Sequence, residues 1–280
     1  MTLFRFRLLF LTTSTLALMW PIMALETRPA SPLIGVKSAP IKSTFQNISG
    51  QDPAPILMYH YIRDTEKRTD LLGQKLSTSP KNFDAQLSWL KNHGYETVAP
   101  NFLLTPHAIM GKPIILTFDD GYRDAFTGAL PLLKKYNMTA TFYVIVNSLG
   151  KPIYLTWDEI KIMKASGMNI ASHTLHHPPL ATLSTQKIDW ELSESKRELD
   201  KRLNQNTIDF AYPYGSYDRR VVESAKKAGY QTAVTVMTGV ASEKNNMLEL
   251  PRLRVSDNTN FEELLKVSPS VIPAKAGIQY

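Results

Sequence analysis

The residues of this chain best suited to chemistry are two adjacent carboxylates, Asp119 and Asp120, followed by Gly121, and a histidine group at His173, His176 and His177. Two ionised carboxylates held side by side repel, so such a pair needs a cation or a shared proton. A divalent metal supplies the cation. His173 and His177 are four apart, so on a turn of helix they share a face and can both ligate through imidazole. Two imidazoles and one carboxylate, with positions left open for water, form a hydrolytic metal site. His176 competes for the second imidazole position; Pro178 restrains the backbone just before it and favours His177.

Taken alone, Asp-Asp-Gly is a common solvated turn. Its position lifts it above that reading. From residue 56 onward, apolar runs alternate with amphipathic stretches, and the runs at 56–59, 113–118, 139–146, 169–171, 208–211 and 232–236 are short, nearly continuous and rich in β-branched or aromatic residues. Such runs are expected of strands buried on both faces of a parallel sheet. Between them, Ser79-Pro80, Thr156 and Asp218 open helices that stop at Gly94, Gly167 and Gly229, while Asn137 ends a helix over 123–136. A longer helix over 184–204 carries mixed charges that cancel, which reads as a solvated face. Repeated αβ units of this kind build a (β/α) barrel or a doubly wound sheet, and in both the site forms at the carboxyl ends of the strands. Polar groups follow four of the runs there: His60, Asp119-Asp120, the run from Ser172 to Pro178, and Tyr212-Pro213-Tyr214-Gly215.

Composition narrows the class. The 280 residues include 32 Lys or Arg, 25 Asp or Glu and no Cys, with 43% apolar and 20% charged residues. This is a globular composition, and it excludes a disulfide scaffold, a zinc-thiolate site and a cysteine nucleophile. Arg5 and Arg7 precede a mostly apolar stretch ending near Pro21 and Ala24, the layout of a secretory signal over 1–24. It is short for a membrane span, though a retained anchor is the alternative. Cleavage there would reduce the net charge from +7 to +5, with no basic stripe for nucleic acid. Residues 25–55 contain five prolines and read as a linker, residues 56–267 as one domain, and 268–280 as a disordered tail.

The segments TFDDGY (Thr117 to Tyr122), SHTLHHP (Ser172 to Pro178) and YPYG (Tyr212 to Gly215), in that order, resemble the signature motifs of the polysaccharide deacetylases, carbohydrate esterase family 4 with its NodB-homology domain. The likeness runs from about residue 112 to 255. It implies a distorted (β/α) barrel and hydrolysis of N-acetyl groups on an amino-sugar polysaccharide, such as poly-N-acetylglucosamine, peptidoglycan or a chitin-like polymer. It also implies Asp119 as general base, Asp120, His173 and His177 as ligands of a divalent metal (zinc, with cobalt or nickel as alternatives), and the Tyr214 backbone N–H as an oxyanion donor.

The sequence departs from the family pattern in two places. Many members carry an arginine two residues before the proline of the third motif, supported by a D-x-x-D-W segment; here that position is Ala211 and the segment is not evident. Arg252 and Arg254 are the candidate substitutes. The late histidine motif is absent, and LMYHYI places His60 early instead, an order similar to the permuted poly-N-acetylglucosamine deacetylase branch, which makes His60 the general acid. An ionised aspartate working with a protonated histidine implies a bell-shaped rate profile. A non-catalytic carbohydrate-binding protein, or a metal phosphoesterase, are the rival functions. The expected partner is an acetylated polysaccharide outside the cell, in a periplasm or envelope.

Overall fold

The computed structural model describes residues 53–65, 71–105 and 107–266. The signal segment, linker residues 25–52 and the tail lie outside them. The order of elements is β1 (Ile56–Tyr59), β2 (Tyr61–Ile62), α1 (Leu71–Leu76), β3 (Ser77–Thr78), α2 (Pro80–Asn92), β4 (Tyr95–Thr97) and β5 (Lys112–Phe118). Then come α3 (Leu130–Tyr136), β6 (Thr141–Val144), α4 (Trp157–Ala165), β7 (Asn169–Ser172), α5 (Thr185–Leu203) and β8 (Asp209–Ala211). The last are α6 (Arg219–Ala228), β9 (Thr232–Thr238), β10 (Leu250–Arg254) and α7 (Phe261–Leu264).

All six apolar runs form parallel strands, and β10 adds a seventh. Strand neighbours run β1-β10-β9-β8-β7-β6-β5, and β1 also pairs with β5, Ile56 opposite Ile115 through Tyr59 opposite Phe118, so the sheet closes. The architecture is therefore a (β/α) barrel, and the doubly wound alternative is excluded. It is distorted: β4 pairs with Lys112 to Ile114 at the start of β5, whereas β6 pairs only with Thr117 and Phe118 near its end. The chain already belongs to this body before β1, because Ala54 is buried and its N–H donates to the Ala241 carbonyl at 2.9 Å.

Alternation along the strands sends neighbouring residues into different hydrophobic clusters. One set of residues, including Ile56, Ile115, Tyr143, Ala171, Ala211, Val234 and Leu250, packs in one cluster. Their neighbours Leu57, Leu116, Phe142 and Ile170 pack in another with residues of α2, α3 and α4.

The helix ends follow their local chemistry. Thr156 and Glu159 form a reciprocal capping box on α4, and Asp218 accepts from the Val221 N–H on α6. The helix expected over 123–136 is split: Ala125–Ala129 is a widened π-turn and α3 begins after it. Pro131 lacks the N–H that an unbroken α-helix would require at its position. At the other end, Asn137 (φ 53°) and Gly229 (φ 94°) take the left-handed conformation, and the next amides, Met138 and Tyr230, donate back to Leu133 and Ala225 at 2.9 and 3.1 Å. A Cβ at Gly229 would meet nothing nearer than 3.5 Å, so only backbone strain opposes one there. Gly229→Ala is therefore expected to lower unfolding stability by about 1 kcal/mol, measured by denaturant melts with an unchanged slope.

Candidate active site

Three strand ends deliver the carboxylates and imidazoles to one place. Asp119 and Asp120 leave β5, His173 leaves β7, and His60 leaves β1, beside Asp119 because the Asp119 N–H donates to the Tyr59 carbonyl at 3.0 Å. Asp120 Oδ1 lies 3.5 Å from His173 Nε2 and 3.3 Å from His177 Nε2, and the two Nε2 atoms are 3.1 Å apart. This nitrogen, nitrogen and oxygen set, all within 4.8 Å of one another, fits a divalent metal ion. The His173 tautomer supports the fit. Its Nδ1 faces the Ala211 carbonyl at 2.8 Å, so Nδ1 carries the proton and Nε2 keeps its lone pair toward Asp120.

The histidines do not share a helical face, contrary to the spacing argument. Residues 173–177 form a non-helical turn in which Thr174 and His177 both take φ 65°, and the His177 N–H donates to Thr174 Oγ1 at 2.8 Å. Folding the turn back on itself brings the fifth residue's ring against the first. Asp120 (φ 73°) and Tyr214 (φ 57°) are left-handed as well, so four of the six non-glycine residues with positive φ among the described residues stand at this site. The other two are helix caps, as described for Asn137. Such concentration is typical of positions whose surroundings over-determine the backbone. Gly121 (φ 76°) follows Asp120, and a Cβ there would come within 3.0 Å of Val144 Cγ1, so both backbone strain and crowding favour glycine.

Arg252 supplies the missing arginine. It is 1% exposed, and Nη1 and Nη2 donate to the two oxygens of Asp119, each at 2.7 Å; Nε donates to the Thr235 carbonyl at 2.8 Å and Nη1 also to Thr117 Oγ1 at 3.2 Å. Arg254 is exposed and makes no such pair. The residue two before the third-motif proline, Ala211, lies in the inner cluster, and the guanidinium arrives from β10 instead.

The charges sort the two carboxylates. Burial would raise the Asp119 carboxyl, but the Arg252 guanidinium overrides it and holds the group well below the usual carboxylate range. Asp120 is pushed up to about 7 by burial and then by the Asp119 charge, opposed by a hydrogen bond with the Tyr122 side chain. A cation at the three ligand atoms removes that penalty. Burial likewise lowers His173 to about 4 and His177 to about 3, so both imidazoles are neutral, as metal ligation requires. His60 Nε2 sits 4.0 Å from Asp119 Oδ2, and burial lowers it to about 4 despite that neighbouring charge.

Tyr214 sits in the short turn Pro213–Gly215, 65% exposed, with its ring 4.5 Å from that of His177. Gly215 after it is also required, since a Cβ would meet Val236 Cγ2 at 2.3 Å.

The family model for polysaccharide deacetylases matches residues 109–233. The Bacillus subtilis protein YxkH, named as a polysaccharide deacetylase, is 38% identical over 215 residues, covering 75% of this chain and 74% of its own. The chain belongs to the polysaccharide deacetylase family. A Streptococcus pyogenes deacetylase, PplD, solved in complex with acetate, is 36% identical with a TM-score of 0.73 over 78% of this chain and 98% of its own. A poly-β-1,6-N-acetyl-D-glucosamine N-deacetylase of Staphylococcus aureus is 27% identical over 77% of this chain and 83% of its own. Like its family, this deacetylase is a hydrolytic enzyme on the (β/α) barrel.

One residue of the deacetylase site escaped the sequence reading altogether. Glu191, on the helix read as simply solvated, is buried, and its Oε2 accepts from the N–H groups of Leu175 and His176 at 3.0 and 2.9 Å while Oε1 meets His176 Nδ1 at 2.8 Å. It ties the turn between His173 and His177 to α5. The available signal was its place on the buried stripe Ile188, Glu191, Leu192, Ser195 and Leu199, hidden among charges that alternate around it.

Two outcomes are expected. Arg252→Ala strands a buried carboxylate and is expected to cost about 3–5 kcal/mol, read as a lowered denaturation midpoint. Glu191→Ala is expected to speed amide hydrogen exchange at Leu175 and His176 while leaving exchange within β5 unchanged.

Proposed function

We propose that this deacetylase is a metal-dependent N-deacetylase of an amino-sugar polysaccharide, with poly-N-acetylglucosamine as the favoured substrate. The observation that carries the reading is the pairing, in one buried pocket, of an Asp120, His173 and His177 ligand set with a second carboxylate, Asp119, kept ionised by Arg252. The early His60 and the S. aureus relative both favour the poly-N-acetylglucosamine branch. The non-catalytic alternative rested on the arginine missing at Ala211, and Arg252 removes that ground.

Asp120, His173 and His177 would hold the ion, with zinc the best match to two nitrogens and one oxygen and cobalt or nickel able to take the same set. A divalent ion there lowers the pKa of water and polarises the acetyl oxygen. Asp119 acts as general base: its ionised state at neutral pH lets it remove the proton of the attacking water. The Tyr214 N–H donates to the developing oxyanion. The leaving amine must be protonated before it departs, and His60 is the group beside Asp119 that can do so. Since burial keeps its imidazole neutral at rest, the proton it gives is the one Asp119 took from water, passed across the pair. With both groups deprotonated in the resting enzyme, the pair gives the rate profile an acid limb only, in place of the bell implied by a histidine protonated before substrate binds.

No helix among the described residues is long and apolar enough to cross a membrane. We place the enzyme outside the cytoplasm, because the secretory pattern at residues 1–24 and a polysaccharide substrate agree. Mass of the protein recovered from an envelope fraction would show whether that segment is removed.

Alanine at Asp120, His173 or His177 is expected to abolish zinc retention after dialysis, with acetate release from a poly-N-acetylglucosamine oligomer lost in parallel. Asp119→Asn and His60→Ala are expected to keep the metal and lose roughly 10²–10⁴-fold in kcat. Full turnover in Asp119→Asn overturns the base assignment, and full turnover in His60→Ala overturns the acid assignment.

A further inference from the structure

Between α4 and α5, beside the turn at Val146–Ser148, lies an open surface cavity of about 460 Å³ lined in part by Asn147, Trp157, Glu194, Arg197, Glu198 and Arg202. Its size is that of a small-molecule site. The four charges are arranged as pairs. Arg197 Nη2 is 2.6 Å from Glu194 and 2.9 Å from Glu198, and Arg202 Nε is 3.1 Å from Glu198. The Arg202 guanidinium also lies 4.7 Å from the centre of the Trp157 ring. With charges balanced, neither an anion nor a cation is favoured; the pairs instead present planar donors and acceptors already held in place. The charged lining equally disfavours a purely apolar ligand.

The cavity is joined to the reaction centre. The Asn147 N–H donates to the Leu175 carbonyl at 3.0 Å, its side-chain Nδ2 is 2.6 Å from His176 Nε2, and Leu175 itself lines the cavity. His176 stacks on Trp190 with ring centres 5.4 Å apart at 19°, and Trp190 is 50% exposed, one helical turn before Glu194. The exposed ring of Tyr214 lies against the ring of His177, the residue after His176. An exposed aromatic ring therefore stands beside each of the adjacent residues His176 and His177.

We propose that Trp190, His176, Asn147 and the cavity beside them form a second glycan subsite, which binds uncharged N-acetylated sugar units of the same polymer beyond the unit being deacetylated. The C–H face of a pyranose packs on indole, and its hydroxyls and acetamide suit the Asn147 amide and the paired guanidinium and carboxylate groups. The identity of the ligand rests on the N-deacetylase reading.

The test uses the full-length protein and N-acetylglucosamine oligomers of two and eight units. The ratio of kcat/KM for the octamer to that for the dimer is expected to fall about three- to tenfold, the worth of one aromatic contact, in Trp190→Ala and in Arg202→Ala. An unchanged ratio in both variants overturns the subsite. A second measurement follows the indole N–H signals of Trp157 and Trp190 as the octamer is titrated, with Trp→Phe variants supplying the assignments. Movement of these signals supports the subsite, even if the protein releases no acetate, an outcome that would overturn the N-deacetylase reading alone. Acetate release from the octamer with both signals unmoved overturns the subsite and leaves that reading intact.

Discussion

The buried pair of Arg252 and Asp119 is the interaction on which the site depends. A carboxylate with 4% of its side chain exposed would ordinarily take up a proton, and a guanidinium with none exposed is still harder to bury unpaired. Each is tolerable because the other offers a matched two-bond fork, and because Thr117 and the Thr235 carbonyl take further guanidinium N–H groups. The pair also separates two neighbouring aspartates into different states. Asp119 stays charged, and its charge helps to raise Asp120, which makes a cation at Asp120 more favourable. One ion pair thus keeps one carboxylate charged and leaves its neighbour suited to a cation.

This pairing requires a closed barrel. Arg252 and Asp119 are 133 residues apart and stand on β10 and β5, which are not neighbours; β1 lies between them and hydrogen-bonds to both. Ala211, on β8, is fully buried in the same cluster as Ala171 and carries no cation toward Asp119. The arginine has in effect moved to another wall of the barrel while its guanidinium reaches the same carboxylate. Geometry at the carboxylate, not position in the chain, is what the chemistry demands.

The turn that carries His173 and His177 is the complementary case, where local backbone strain is held by tertiary contacts. Thr174 and His177 adopt left-handed conformations that cost free energy for residues bearing a Cβ. Glu191 from α5 takes the amides of Leu175 and His176, and Ser172, whose Oγ is 2.9 Å from Ser195 Oγ, receives the Thr174 N–H. The helix is therefore more than a cover for the barrel, since it orients the stretch that brings two imidazoles within 3.1 Å.

The sequence by itself determined the alternation of strands and helices, the helix caps, and the ligand, base and acid candidates, because each is written in a short contiguous run: a buried strand followed at once by Asp119-Asp120, by His173 and His177, or by His60. It left three things open. Periodicity does not distinguish a closed barrel from an open sheet, since both have strands buried on two faces, and only the pairing of β1 with β5 decided it. The spacing of His173 and His177 suggested a helix, but the turn they occupy is closed locally by Thr174 and held by Glu191 and the Ala211 carbonyl from elsewhere in the chain. Arg252 looked no different from Arg254, and Glu191 no different from the acids around it, because burial of a charge depends on where its partner arrives, and those partners are remote in sequence. Tertiary structure decided the charge state of the site for that reason: it alone brings a cation from the last strand to an anion on the fifth.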